Sequence, residues 1–254
     1  MCNFKSGLIF KNKVILTPMY DENHSALLRK LNIEDNHMNA SKTFVRAELL
    51  PKDDNKATDV SEWNFKVDQD IVPDWYEEDA GRYEEDFRNE VKSWMNENFK
   101  TIGGELCVKI KEDEIGTYYM TVDSLIESEF GETNNYATSY VREKLISCDF
   151  AKALQKEYGD KLIPLKINLF SYDGFDDYGT VEGDILGLRT FDLNRECRKN
   201  IPDSDNWEWL STPNSTPTGC GSGGVRCVDS NGGVNYCWCD GVKDVRPFFV
   251  LQNR

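Results

Sequence analysis

The sequence predicts a mixed α+β protein built in two units, and three observations carry that expectation. Short alternating apolar runs bounded by Gly, Asn and Pro recur near both ends of the chain, as strands do. One long stretch, about 78–98, places Tyr83, Phe87, Val91, Trp94 and Met95 on a single stripe at helical spacing. Gly103-Gly104 then follows as a breaker pair. The expected units are 1–102, a small α+β domain, and 103–254.

In the first unit, Leu8-Ile9-Phe10 and Val14-Ile15-Leu16 flank Lys11-Asn12-Lys13 and predict a hairpin. Ser25 to Leu31 shows helical spacing through Leu27, Leu28 and Leu31, with His24 placed to help its start. Phe44 to Leu50 reads as a strand stopped by Pro51, and Trp63 to Val67 as a half-buried strand. The helix over 78–98 closes the unit, its stripe serving as a core face.

In the second unit, Glu105 to Ile110 is the first strand, and Tyr118 to Met120 extends the sheet. Helices are expected over 135–146, with Tyr136, Tyr140, Val141 and Leu145 on one side, and over 150–158. Leu165 to Leu169 alternates as a short strand, and 173–184 is a Gly/Asp/Tyr loop of the kind that carries function on a rigid scaffold. Val225 to Tyr236 brackets Asn231-Gly232-Gly233 and predicts a hairpin turning at 230–233. A last strand enters through Arg246-Pro247, whose proline lacks a ladder donor and so asks for an edge or first-residue position.

Composition limits the function classes. The 30 Lys+Arg against 45 Asp+Glu leave a net charge of −15, a repulsive field for a phosphate backbone, so nucleic acid is not an expected partner. The acidic stretches at 68–70 and 77–86 read as solvated faces. No apolar run approaches the roughly 20 residues that span a bilayer, so membrane insertion is not expected. Met1 to Lys5 lacks a secretory apolar region, which points to the cytoplasm at synthesis and to reduced thiols for the eight cysteines.

Candidate chemistry is sparse. Cys220, Cys227, Cys237 and Cys239 invite a zinc reading, but their gaps of six, nine and one residues do not match C-x2-4-C knuckles, so neither metal nor cofactor is expected. Asp173, Asp176, Asp177 and Asp184 lack the register of a calcium loop and read as turn residues. Cys2, exposed by loss of Met1, is the alternative: an N-terminal-nucleophile hydrolase. It stands without a named oxyanion motif, and the only histidines are His24 and His37.

The remaining constellation is Trp207, Arg226, Asp229, Asn235, Tyr236, Trp238 and Asp240, proposed as ligand-binding because Trp, Tyr and Arg carry most interface energy. Adaptable polar contacts are expected from 211–224. Trp209 and Arg246 are assigned to the core, Trp238 and Asp240 to the surface.

The pieces Asn134 to Ser139 leading into Val141-Arg142, Gly183 to Leu186 as a strand, Trp207 to Pro213, and Val245-Arg246-Pro247 together resemble a bacterial and phage domain family of unknown function. The resemblance covers roughly 103–254. That family is similar in fold to C-type lectins and the formylglycine-generating enzyme. Proteins of similar fold serve as phage receptor binders and as variable proteins of diversity-generating retroelements. The resemblance therefore implies a C-type-lectin-like display domain, a protein or cell-surface ligand, no enzymatic activity, and association with a virion, which a particle protein reaches without a signal because it leaves by lysis. Cys237-Trp238-Cys239 does not match the enzyme's paired-cysteine site.

Overall fold

A computed structural model describes residues 96–253 apart from 203 and 205, together with the backbone of five strands within 1–67. The chain is mixed α+β and divides into two compact units, Met1–Glu97 and Asn98–Arg254. In the first unit, β1 (Phe4–Lys5), β2 (Ile9–Phe10), β3 (Lys13–Pro18), β4 (Ala47–Leu50) and β5 (Asn64–Val67) form one antiparallel sheet in the order β1-β3-β4-β5, with β2 pairing β3. Phe10 opposite Lys13 gives the expected hairpin a tight connection. The helix expected at 25–31 lies outside the described residues, as do Cys2, His24 and His37. Of the helix expected over 78–98, only residues 96–98, which are helical, are described.

The second unit opens with β6 (Phe99–Ile102) and β7 (Glu105–Glu112), paired antiparallel with Ile102 opposite Glu105. The breaker pair between them is thus a hairpin turn, not an interdomain boundary. Gly103 and Gly104 both adopt positive φ, 57° and 87°, as a two-residue turn compatible with strand twist requires. A Cβ on Gly103 would sit 3.1 Å from Ala153 and the Phe150 ring, so close packing also favours glycine.

Next come β8 (Thr117–Thr121), β9 (Ile126–Glu129), α1 (Tyr140–Ser147) and α2 (Asp149–Tyr158). The single helix expected over 135–146 is broken. Asn135 caps a 3-10 turn at Tyr136–Thr138, and the Ser139 hydroxyl then accepts from Arg142 N–H to start α1. Then follow β10 (Leu162–Ile163), β11 (Lys166–Asn168), β12 (Thr180–Glu182) and α3 (Phe191–Cys197), capped by Thr190. The chain ends with β13 (Glu208–Pro213), β14 (Gly224–Val228), β15 (Val234–Trp238), β16 (Val242–Val245) and β17 (Phe248–Leu251).

These strands make two five-stranded sheets, β10-β17-β8-β7-β6 and β15-β14-β13-β16-β9, plus the ribbon β11-β12. The first is antiparallel throughout; in the second, β13 and β16 run parallel. The expected final strand is β17, while Val245 just before it ends β16 in the other sheet. Arg246-Pro247 is the crossover, and Pro247 precedes β17, which lies inside its sheet between β10 and β8 rather than at an edge. Gly183 to Leu186 is not a strand. Gly183 adopts φ 95°, and the Asp184 carboxylate is held by a two-bond fork from Arg142 at 2.7 and 3.0 Å, leaving only Gly187 to bridge Phe248.

The core follows the apolar pattern. Phe150 of α2 meets Phe249 of β17 edge to face at 5.9 Å, and Trp209 of β13 meets Phe130 at 5.5 Å while its indole N–H donates to the Ser128 carbonyl. Between the two sheets lies a buried ionic triad. Glu208 on β13 accepts from Arg189 at 2.7 Å and Arg246 at 3.3 Å, while Arg189 reaches Met120 and Arg246 reaches the Thr121 carbonyl on β8. Trp209 and Arg246 are core residues, as expected.

Candidate functional site

The β14-β15 hairpin builds the exposed end of the second sheet. Its tip, 229–233, is organised by Asp229, whose Oδ1 accepts from Asn231 and Gly233 N–H and whose Oδ2 accepts from the Asn235 amide at 3.1 Å. Asp229 and Asn235 are thus a turn-forming pair. This is the self-bonding role that makes Asp and Asn turn residues.

Side chains alternate across a strand, so the register sorts the remaining candidates by face. Arg226 lies opposite Tyr236, and Trp238 follows two residues on, which places all three on one face. Tyr236 is 54% exposed and Trp238 66%. The opposing strand begins with glycines that make room for these rings: a Cβ on Gly223 would fall 2.8 Å from the Trp238 ring, and one on Gly224 3.4 Å from Tyr236. The rings therefore lie across the hairpin backbone with their outer faces free.

Arg226 extends this surface. Its guanidinium sits 4.0 Å from the ring centroid of Tyr172, and its Nη1 donates to Asn214 at 3.1 Å. Its Nε, although buried, has no partner among the described residues. Tyr172 is 54% exposed and meets Phe191 edge to face at 5.1 Å. The outcome is a row of Tyr172, on a turn, with Arg226, Tyr236 and Trp238 on paired strands. Tyr172 and Phe191 were missed by sequence reasoning. The only signal was that Phe170-Ser171-Tyr172 enters the loop at 173–184, with its aromatics just outside the Gly/Asp segment.

Trp207 belongs elsewhere. It lines a pocket of about 570 Å³ with Glu127, Asn206, Cys237, Val242, Lys243 and Asp244. Cys237 alternates with Tyr236 and Trp238, so this pocket lies on the other side of β15 from the aromatic row. The Lys243 ammonium stands 6.0 Å from the Trp207 ring. Burial, with Glu127 and Glu208 nearby, pushes the Asp244 carboxyl above the ordinary carboxylate range despite an Asn206 hydrogen bond. Asp240 is exposed in the turn after Trp238, where Gly241 N–H donates to the Trp238 carbonyl.

Of the segment 211–224, expected to supply adaptable contacts, the first half is anchored and 217–224 is half-buried to exposed. Ser211, Thr212, Ser215 and Thr216 are buried. Asn134, itself fully buried, donates to the carbonyls of Ser215 and Gly224 at 2.8 and 2.7 Å and accepts from the Tyr178 hydroxyl. Thr212 accepts from the Phe191 N–H and Ser215 from the Cys220 N–H, roles that sequence alone does not distinguish from solvent-facing ones.

Three of the acidic loop's four aspartates are likewise tied: Asp173 to Ser171, Asp177 to the Thr218 N–H, and Asp184 to Arg142. Among the described residues, no three His, Cys, Asp or Glu side chains group as metal ligands would. No helix among them is long and apolar enough to cross a membrane. Comparison of the chain with protein-family models, with curated proteins and with solved structures finds no match.

Proposed function

We propose that this is a non-enzymatic binding protein of phage or prophage type, displaying a recognition face on a C-type-lectin-like scaffold in its second unit. The observation that carries the reading is the row of Tyr172, Arg226, Tyr236 and Trp238: three large aromatics more than half exposed beside a stacked arginine. Hydrophobic side chains scattered singly over a surface need no explanation, but adjacent aromatics with an arginine are the composition of interface centres. Tyr and Trp offer large contact area with few rotatable bonds, and here the strand pair removes most of what freedom remains. The Arg226 guanidinium, stacked over Tyr172 and hydrogen-bonded to Asn214, adds a fixed positive charge beside the rings. The ligand class this favours is a protein or other cell-surface structure presenting apolar area together with an acceptor.

The experiment is a binding panel. Labelled protein is offered to intact bacterial cells of several hosts and to their fractionated envelope proteins and glycans, beside Tyr236→Ala, Trp238→Ala and Arg226→Ala variants. The reading expects one target class to bind the wild type and to be lost by variants that still fold and melt within a few degrees of it. Undiminished binding by all three variants would remove the proposed face.

A further inference from the structure

We propose that Cys237 and Cys227 form a thiol–disulfide exchange site, in which Cys237 reacts with a small-molecule disulfide in the Trp207 pocket and Cys227 resolves it into a cross-strand bond. The two residues lie on β15 and β14, diagonal in register, with Cys227 opposite Asn235 and Cys237 opposite Val225, so both point to the side away from Tyr236 and Trp238. Their sulfurs are 2.8 Å apart, about 0.8 Å beyond a covalent S–S bond. Closing that gap requires side-chain adjustment rather than a change of register.

The environments differ, and the difference orders the steps. Cys227 is fully buried, and burial together with the adjacent Cys237 sulfur pushes its thiol well above the ordinary range. Cys237 is half-buried and forms part of the pocket wall with Trp207 and Lys243. A reagent in the pocket therefore meets Cys237 first. The Lys243 ammonium on the pocket wall draws in an anionic disulfide, while Glu127 and Asp244 on the same wall limit the size of that field.

The chemistry balances without another reactant. The Cys237 thiolate attacks one sulfur of a disulfide RSSR, the RS–SR bond breaks, and one RS⁻ leaves. Cys227 gives its proton to that thiolate and attacks the Cys237 sulfur, so that the mixed disulfide breaks and the second RS⁻ leaves to be protonated by water. Two protein thiols are oxidised and one external disulfide is reduced to two thiols. The product bond ties together the two strands whose opposite face carries Tyr236 and Trp238.

The test uses the full chain and oxidised glutathione, followed by alkylation and a non-reducing digest cut after Arg226 and before Asp229 and Asp240. That cleavage separates residues 227–228 from 229–239 unless a disulfide joins them. The two peptides are expected to emerge joined from the wild type and from Cys239→Ser. Cys227→Ser should retain one glutathione on 229–239, and Cys237→Ser should leave Cys227 unmodified. The oxidised wild type should also melt about 5 °C higher or more, the size expected for closing a short loop in a domain of this length. Three results overturn the proposal: peptide 227–228 emerging free and reduced, a bond between Cys237 and Cys239, or Cys227 reacting equally fast when Cys237 is replaced. If Cys227→Ser does not fold, the wild-type and Cys239→Ser digests decide alone.

Discussion

Trp238→Ala and Trp209→Ala make one prediction in two arms, because both tryptophans belong to the same sheet and differ in what surrounds them. Trp209 is 1% exposed, packed edge to face against Phe130 and hydrogen-bonded to the Ser128 carbonyl. Its truncation should cost about 3–5 kcal/mol of cavity and transfer energy, plus about 1–3 kcal/mol for the stranded buried carbonyl. Trp238 is 66% exposed and touches the hairpin chiefly over Gly223. With a third of its surface covered, it should cost about a third as much as a core tryptophan, roughly 1 to 1.5 kcal/mol. At about 2–4 °C per kcal/mol, the Trp238 variant should melt only a few degrees below wild type, and the Trp209 variant should be severely destabilised. On a binding partner the order should invert: a central Trp hot spot is worth about 2 kcal/mol or more, roughly thirty-fold in affinity. Thermal melts come first because they need no partner. Equal destabilisation by the two substitutions would refute the assignment of Trp238 to a free surface.

Glu208→Gln should destabilise by about 3–5 kcal/mol, since it leaves the Arg189 and Arg246 guanidiniums buried together without their shared carboxylate. Burial raises the Glu208 pKa, but Arg189 and Arg246 prevail and hold it below the ordinary value, so its contribution is present above about pH 4.3 and is lost as pH falls through the folded pKa; the variant's acid melting curve should be flatter by that component. Asp229→Ala should cost about 1–2 kcal/mol, because two backbone N–H groups and the Asn235 amide lose their acceptor at the hairpin tip, and a stability unchanged in urea unfolding would contradict the turn role. A fragment beginning at Asn98 should unfold cooperatively on its own, whereas one beginning at Glu105 lacks β6 with its buried Phe99 and Ile102 and should be about 3–6 kcal/mol less stable; equal stability would return the boundary to Gly103-Gly104.

The sequence made the mixed α+β class legible, and it made strands legible where a local rule decides them. Alternation around Asn231-Gly232-Gly233 predicted the β14-β15 hairpin, because turn chemistry and apolar period agree over a dozen residues. Glycine pairs were ambiguous: Gly103-Gly104 looks the same whether it ends a unit or turns a hairpin, and only the partner of Phe99 to Ile102 decides. The same limit explains Gly183 to Leu186, whose apolar pair suggested a strand while Arg142, 42 residues away, claims Asp184. For the site, exposure of Trp238 and Tyr236 followed from strand alternation, a local property. The separation of Trp207 from them did not, because it depends on where the end of β13 packs. Tyr172 was hidden for a similar reason: its contact with Arg226 joins segments 54 positions apart, and no local pattern reports such a stack.

The two sides of the hairpin explain each other physically. An exposed aromatic pair on a two-stranded projection would ordinarily lose order, because an isolated hairpin is marginal in water. Here β14 is not an outer strand. It pairs with β13, whose Trp209 and Glu208 are fixed in the core, and Asn134 clamps the Gly224 carbonyl where β14 begins. Asp229 holds the far end of the hairpin, and the Cys227 and Cys237 sulfurs meet between the two ends. Freedom is removed at three points along a ribbon that leaves one face open, so a partner meeting Tyr236 and Trp238 has little ordering entropy left to overcome. Loosening any one of the three points should therefore weaken binding without touching a contact residue, which distinguishes a preorganised face from a row of aromatics that happens to be exposed.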